Sequence, residues 1–308
     1  MQQTRKKPFL KQLHREGANY VLLAPALIYT LIFGYFTYPY MAIAFEKFDY
    51  RKGIFSEFVG LKNFEAFFKS TWAWLVTRNT VGLNLIFILT GTVASVALAL
   101  MLNEISRKRF LKAVQSSMLF PFFISWAVVA MILYALLSTE TGLINAVRSG
   151  VGLDRLRFYS TAEYWPVILV LMRIWKGVGY SSIIYLATIT GMDAQIYEVA
   201  AIDGANRWQM AWKLTIPLLM PTVSILILMD VGRAFFGDFT MIYSIIGDNG
   251  MLLKTTDVID TYMYRALRKT GDTSIAMAVG FYQSVVGFIL VFTVNRIVKK
   301  YYPEGALF

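Results

Sequence analysis

The sequence predicts an all-α, polytopic membrane protein with six transmembrane helices. Three observations carry that prediction. Of the 308 residues, 57% are hydrophobic and only 16% charged, against about 25% charged in an ordinary soluble domain. The apolar residues gather in six runs, at residues 20–45, 80–102, 111–137, 164–190, 214–237 and 275–298, each able to supply the ~20 residues a helix needs to cross a bilayer. Helix is the form these runs must take, because an isolated strand leaves its backbone polar groups unsatisfied in lipid.

The first run exceeds the ~7–15 apolar residues of a signal-peptide core, so it is expected to stay as a membrane anchor. An even number of crossings places both termini on one side. Total Lys and Arg do not decide which side: 12 fall in 1–19, 103–110, 191–213 and 299–308, and 13 in 46–79, 138–163 and 238–274. The first set is shorter and denser, and short flanking segments carry the topological signal. The expected layout is a cytoplasmic basic tail at 1–19 (Arg5, Lys6, Lys7, Lys11, Arg15), a six-helix domain at 20–298, and a cytoplasmic C-terminal tail at 299–308. The net charge of +11 then reads as topology and contact with anionic lipid rather than nucleic acid.

Several chemistries are poorly supported. Cysteine is absent, which excludes disulfides and thiolate metal sites. The single histidine, His14, stands in the basic tail away from any carboxylate cluster, so no metal is expected. The sequence has no G-x-x-x-x-G-K-[ST] phosphate loop, no H-E-x-x-H and no G-x-S-x-G. The chain is expected to be no enzyme and to bind no cofactor of its own.

Between the fourth and fifth runs lies "YEVAAIDGANRWQMAWKLTIPLLMP" (Tyr197 to Pro221), within a connection at 191–213. Asp193 can cap a helix over 194–203 through its carboxylate. Ile196, Val199, Ala200 and Ile202 give it a low apolar face. Gly204 marks a turn, since it would cost about 1 kcal/mol inside a helix, and "ANRWQMAW" begins a second short helix. Pro217 and Pro221 are expected to open the fifth crossing, where a missing N–H does no harm. A low helix of this kind fits a groove on another protein. The alternative is a helix lying on lipid, anchored by Trp208 and Trp212. Such helices favour Lys and Arg on the polar face, whereas this one carries Glu198 and Asp203.

This segment resembles the signature loop of binding-protein-dependent ABC importer permeases: Glu198-Val199-Ala200, Gly204 six residues after the glutamate, then Leu214-Thr215-Ile216-Pro217. Val199 replaces the usual first alanine, and Leu and Ile exchange places near the end. Asp203-Gly204-Ala205 is similar to the carbohydrate branch. "FVGLKNF" (Phe58 to Phe64), "RNT" (Arg78 to Thr80), "FPFFIS" (Phe120 to Ser125) and "GLIN" (Gly142 to Asn145) resemble maltose-type sugar permeases. The usual Gly-Gly-Pro run before the last crossing is missing. The stretch from Gly247 to Val298 looks instead like the lipoprotein-type polysaccharide permease branch, which includes importers of pectin- and alginate-derived saccharides.

The resemblance implies a type I ABC importer permease fold with a cytoplasmic coupling helix between helices 4 and 5, in a bacterial inner membrane. Tyr197, Glu198, Val199, Ala200, Ala201, Asp203, Gly204 and Ala205 would dock into a cleft of a cytoplasmic ATPase. Glu198 would meet a basic group there, and Gly204 would allow the turn that seats the helix. The implied partners are a related but different second permease, two ATPase subunits holding ATP and Mg2+, an extracytoplasmic solute-binding protein, the bilayer and an oligosaccharide. An ion-coupled secondary transporter or channel is the rival. It would leave the loop unexplained, and no internal repeat of the kind common in such folds is visible.

Arg173 and Lys176 in the fourth run, and Asp230 and Arg233 in the fifth, are each three residues apart and share a helical face. Gln283 in the sixth falls at a similar depth. Ionised groups at such depth line a cavity or pair with one another. Read as a translocation cavity, these side chains carry a net charge of +2 and suit an acidic saccharide, although a neutral oligosaccharide is the alternative. Read as structure, Asp230 pairs with Arg233 or Arg173 and Lys176 snorkels. Trp175 and Tyr180 offer faces on which sugar rings could stack, while interfacial belts also favour Trp and Tyr.

Overall fold

The computed structural model describes residues 17–301. The expectations for residues 1–16 and 302–308 lie outside the described residues. The first span opens as α1 (Gly17–Thr30), passes through a π-helical turn (Leu31–Tyr35) and ends in a 3-10 segment (Tyr38–Phe45). None of its most apolar stretch is buried against the rest of the chain.

The segment that follows holds the two strands found among the described residues. Strands β1 (Glu46–Asp49) and β2 (Gly53–Phe58) form an antiparallel hairpin, with Gly53 at φ +59° where the turn requires it. The hairpin is tied to the last span by Phe48 N, which donates to Ser274 Oγ at 2.9 Å. Helix α2 (Lys62–Lys69) leads into the second span, α3 (Thr71–Asn103).

The third span is not the straight helix expected over 111–137. It is two helices, α4 (Lys108–Phe123) and α5 (Trp126–Leu137), bent by 93°. Pro121 lies in the last turn of α4, where its ring and missing N–H disfavour continuation. Ser125 then caps the new start, accepting from Val128 N at 3.3 Å. Helix α6 (Leu143–Gly150) follows, and the fourth span is α7 (Trp165–Thr190).

The fifth span also differs from expectation. After α8 (Ala194–Ile202), the short α9 (Arg207–Met210), a π-helical turn (Ala211–Thr215) and α10 (Ile216–Val231) run on as one 25-residue rod. Pro217 and Pro221 therefore sit within a helix already under way. The wide turn just before Pro217 is a local adjustment that lets a helix accommodate a ring with no N–H to donate. The helix stops at Val231, and residues 232–238 are unwound. Beyond them come α11 (Phe239–Ile246), α12 (Leu253–Thr256), α13 (Ile259–Arg268) and the last span, α14 (Thr273–Tyr301).

Helices α3 and α7 form the most extensive pair in the bundle. Gly179 lets α7 cross α4 backbone to backbone: a Cβ there would lie 2.0 Å from the Met118 carbonyl oxygen. One apolar core gathers Leu83, Trp126, Leu133, Trp165, Leu169 and Met241. A second, nearer the 191–206 connection, gathers Ala99, Tyr185, Leu186, Ile189 and Leu219.

The short motifs noted in the sequence act as polar fasteners for the long segments. Asn63 donates to the carbonyls of Ala44 and Glu46, both at 2.9 Å. Asn79 donates to those of Lys254 and Asp257, at 3.2 and 3.1 Å, while Thr80 Oγ1 accepts from Ile259 N. Asn145, buried, donates to Leu156 O and accepts from Leu156 N, each at 2.8 Å. Gly142 has backbone where a side chain would be, with Ser138 O 2.3 Å from the position of a Cβ. A buried backbone group without a partner costs about as much as a lost hydrogen bond, so these amides hold irregular chain that the apolar cores alone would not fix.

Candidate functional site

Helices α3, α7 and α10, with the break in the third span, enclose a cavity of about 620 Å3. From α3 it takes a polar stripe, Asn84, Thr92 and Ser95. From α7 it takes Arg173, Lys176 and Tyr180, and from the end of the fifth span Asp230, Arg233 and Asp238. Three basic and two acidic side chains thus line it, for a net charge of +1. Counting Asp238 lowers the value of +2 read from the sequence by one.

Arg173 and Lys176 are engaged with the protein. Arg173 Nη1 donates to Asp238 Oδ2 at 2.5 Å, a partner the sequence did not suggest. Lys176 Nζ donates to the carbonyls of Phe122 and Ile124, both at 2.6 Å, and of Pro121 at 3.2 Å. Its ammonium also lies 5.6 and 5.4 Å from the ring centres of Phe122 and Trp126, within reach for cation–π attraction. Lys176 does not snorkel; it closes the carbonyl end of α4, where orphan acceptors and the negative end of the helix dipole favour a cation. Asp230, expected to pair with Arg233 or Arg173, makes no ion pair within 4.0 Å among the described residues; Arg173 is held by Asp238 instead. Phe122 and Tyr180 stack at 4.6 Å with planes 10° apart, giving the cavity a flat aromatic wall.

Five of the seven residues proposed for the pathway line the cavity. Trp175 does not: it lies off the face shared by Arg173, Lys176 and Tyr180 and is 44% exposed. Gln283 is only 2% exposed and points elsewhere, donating to Phe235 O at 2.8 Å and Asp260 Oδ2 at 2.9 Å. The sequence does not report the rotation of a helix about its axis. The residues missed did leave signals. Asn84, Ile88, Gly91, Thr92 and Ser95 recur at helical spacing, and an Asp just before Phe239-Thr240-Met241 is a helix-start signal. Asp238 is that cap, its Oδ1 accepting from Met241 N at 3.0 Å.

The 191–206 connection is built as the sequence suggests. Asp193 caps α8 by accepting from Gln195 N at 2.9 Å. Gly204 has φ +80°, and the bonds from Ala205 N to Ala200 O (2.9 Å) and from Gly204 N to Ala201 O (3.1 Å) close the helix as a Schellman motif. Asn206 and Gln209 form a capping box on α9. Glu198, Val199, Ala201, Ile202 and Asp203 are exposed, and Ala200 and Ala205 half-buried. Tyr197 turns the other way, its hydroxyl 3.0 Å from Thr215 Oγ1, so it secures α8 to the fifth span. Arg207 pairs with Glu104, joining this loop to the neighbouring connection.

Among the described residues, five or six helices of membrane-spanning length and composition around a charged, aromatic-walled cavity define a multi-pass transport protein. The chain matches the family of binding-protein-dependent transport system inner membrane components over residues 85–301 and belongs to it. Members of that family are transport components rather than enzymes, and the fold is the family's type I permease fold. The chain is 34% identical over 302 residues to the polygalacturonan/rhamnogalacturonan transport system permease protein YteP of Bacillus subtilis (strain 168), covering 98% of this chain and 94% of that one. It is 33% identical over 298 residues to protein LplB of the same organism, covering 96% and 93%. The structure superposes with a TM-score of 0.86 on a chain of a bacterial alginate ABC transporter solved in complex with an alginate pentasaccharide-bound periplasmic protein. The identity there is 32%, with 96% of this chain and 98% of that one covered.

Proposed function

We propose that this chain is a permease subunit of an ABC importer and forms half of the pathway for oligosaccharides, with acidic, alginate- or pectin-derived ones as cargo. The cavity carries the reading: three cations against two carboxylates beside a stacked Phe122–Tyr180 wall suit a sugar ring that bears a carboxylate. The polygalacturonan and alginate transport named for its relatives supports the same cargo. Family membership supports this reading over an ion-coupled transporter.

In this proposal α8 is the cytoplasmic coupling helix, and both termini are cytoplasmic. Glu198, Val199, Ala200, Ala201, Asp203, Gly204 and Ala205 form the seat for a separate ATPase that holds ATP and Mg2+, with Tyr197 bracing it from behind. A second, related permease completes the pathway, and an extracytoplasmic binding protein delivers the cargo. Access alternates because the loaded binding protein and ATP each favour one conformation, which they can do only through differential affinity for the two states. Saccharide-stimulated ATP hydrolysis by the complex reconstituted with its binding protein tests the reading. Uronate oligomers are expected to stimulate and neutral oligomers of equal length to do so less. Stimulation by neutral oligomers alone would exclude the acidic cargo.

A further inference from the structure

The ion pair between Arg173 and Asp238 faces the cavity, with 45% and 24% of the two side chains exposed. Its two ends are held differently. Asp238 Oδ1 is occupied as the cap of α11, so the carboxylate keeps its place if the guanidinium leaves. Arg173 makes no other ion pair among the described residues; its guanidinium otherwise rests 6.0 Å from the centre of the Phe87 ring. Lys176 is spent on three carbonyls, and Arg233 makes no ion pair among the described residues. Arg173 is therefore the cavity cation already held by a carboxylate, and its planar fork suits a second carboxylate better than a hydroxyl.

We propose that Asp238 is an internal competitor for the cargo carboxylate: it occupies Arg173 while the cavity is empty, and the carboxylate of an acidic saccharide takes its place. The inference rests on the acidic-saccharide reading above and adds a specificity-determining residue to it. A uronate exchanges one carboxylate for another at Arg173 and loses little. A neutral sugar offers only hydroxyls and leaves the pair closed. The same exchange keeps acidic cargo from binding too tightly to depart, because Asp238 reclaims the guanidinium as the cargo moves on.

The test is direct binding to the complex purified through this chain, in lipid nanodiscs without binding protein, by calorimetric titration. The probes are trigalacturonate and its carboxyl-reduced, neutral counterpart. Asp238→Asn keeps an oxygen for the Met241 cap and removes the competing charge. It is expected to tighten trigalacturonate roughly threefold to fivefold, the scale of a partly exposed ion pair, and to change the neutral trimer much less. Removing a negative charge anywhere in the cavity would also favour an anion, so the decisive comparison is made in the Arg173→Gln background. There the gain should vanish. No gain from Asp238→Asn, or an equal gain in the Arg173→Gln background, overturns the competitor role alone. A wild-type complex that does not prefer trigalacturonate overturns the acidic-saccharide reading, and the competitor with it.

Discussion

Arg173 and Lys176 stand one helical turn apart on α7, yet they bind two different elements of the cavity wall. Arg173 reaches the unwound end of the fifth span at Asp238, and Lys176 reaches the broken third span at Pro121, Phe122 and Ile124. The two substitutions should therefore fail differently. Arg173→Gln is expected to depress uptake of an acidic trisaccharide several-fold more than that of a matched neutral one. Lys176→Gln removes the cation from one exposed and two part-buried carbonyls, a loss of about 1 kcal/mol, and should lower thermal stability and uptake of both sugars alike. Initial uptake rates in proteoliposomes check this; equal selectivity losses in both variants would contradict the division of roles.

Gly204 lies in the left-handed region with open space around it. Gly204→Ala is expected to cost about 1 kcal/mol through backbone strain alone. Gly204→Asp should insert into the membrane normally but abolish ATP-driven uptake and retention of the ATPase on purification. Normal uptake by the Asp variant would remove α8 as the coupling element.

Asp260 gives a pH dependence whose sign is fixed. Burial pushes its carboxyl above the ordinary 3.8, against the hydrogen bonds from Gly237 N and Gln283 Nε2. The folded protein then holds this proton more tightly than the unfolded chain, so the contribution to stability is full at low pH. It is lost as pH rises from about 3.8 through the folded value. Asp257 is also pushed up by burial, despite its pairing with Arg265, and adds to the same trend. Asp260→Asn retains an acceptor and should flatten the dependence, raising the melting temperature near neutral pH relative to wild type. Thermal denaturation across pH 4–8 reads this directly, and superimposable profiles would rule it out.

Asn145→Ala leaves both backbone groups of Leu156 without their side-chain partner. The expected loss is roughly 2–3 kcal/mol, with new proteolytic cleavage confined to residues 150–157. An unchanged digestion pattern would show that the loop is held by other contacts.

The spans were legible because hydropathy over ~20 residues is a long, redundant signal, and the 191–206 connection because Asp193 and Gly204 follow local capping rules. The break at Ile124 was not, although Pro121 followed by Ser125 inside an apolar run marks a stop and a start. What conceals it is composition, since both halves are equally apolar. The hairpin at 46–58 is only four and six residues per strand within a long connection, too short to stand out by alternation. That Gln283 and Trp175 lie off the cavity was not legible, because a helix in lipid can be apolar all round and periodicity no longer reports its rotation. Asp238 escaped because its partner is 65 residues away.

The wide turn at Ala211–Thr215 has a mechanical consequence. By taking in Pro217 without a break, it makes one continuous helix of residues 207–231, about 35 Å long at the usual rise. One end lies beside Gly204 and the other carries Asp230. A tilt of only about 5° at the first end would sweep the second by about 3 Å, close to the width of a water molecule. Were that end to tilt, the displacement at Asp230 would match the size of a single polar contact.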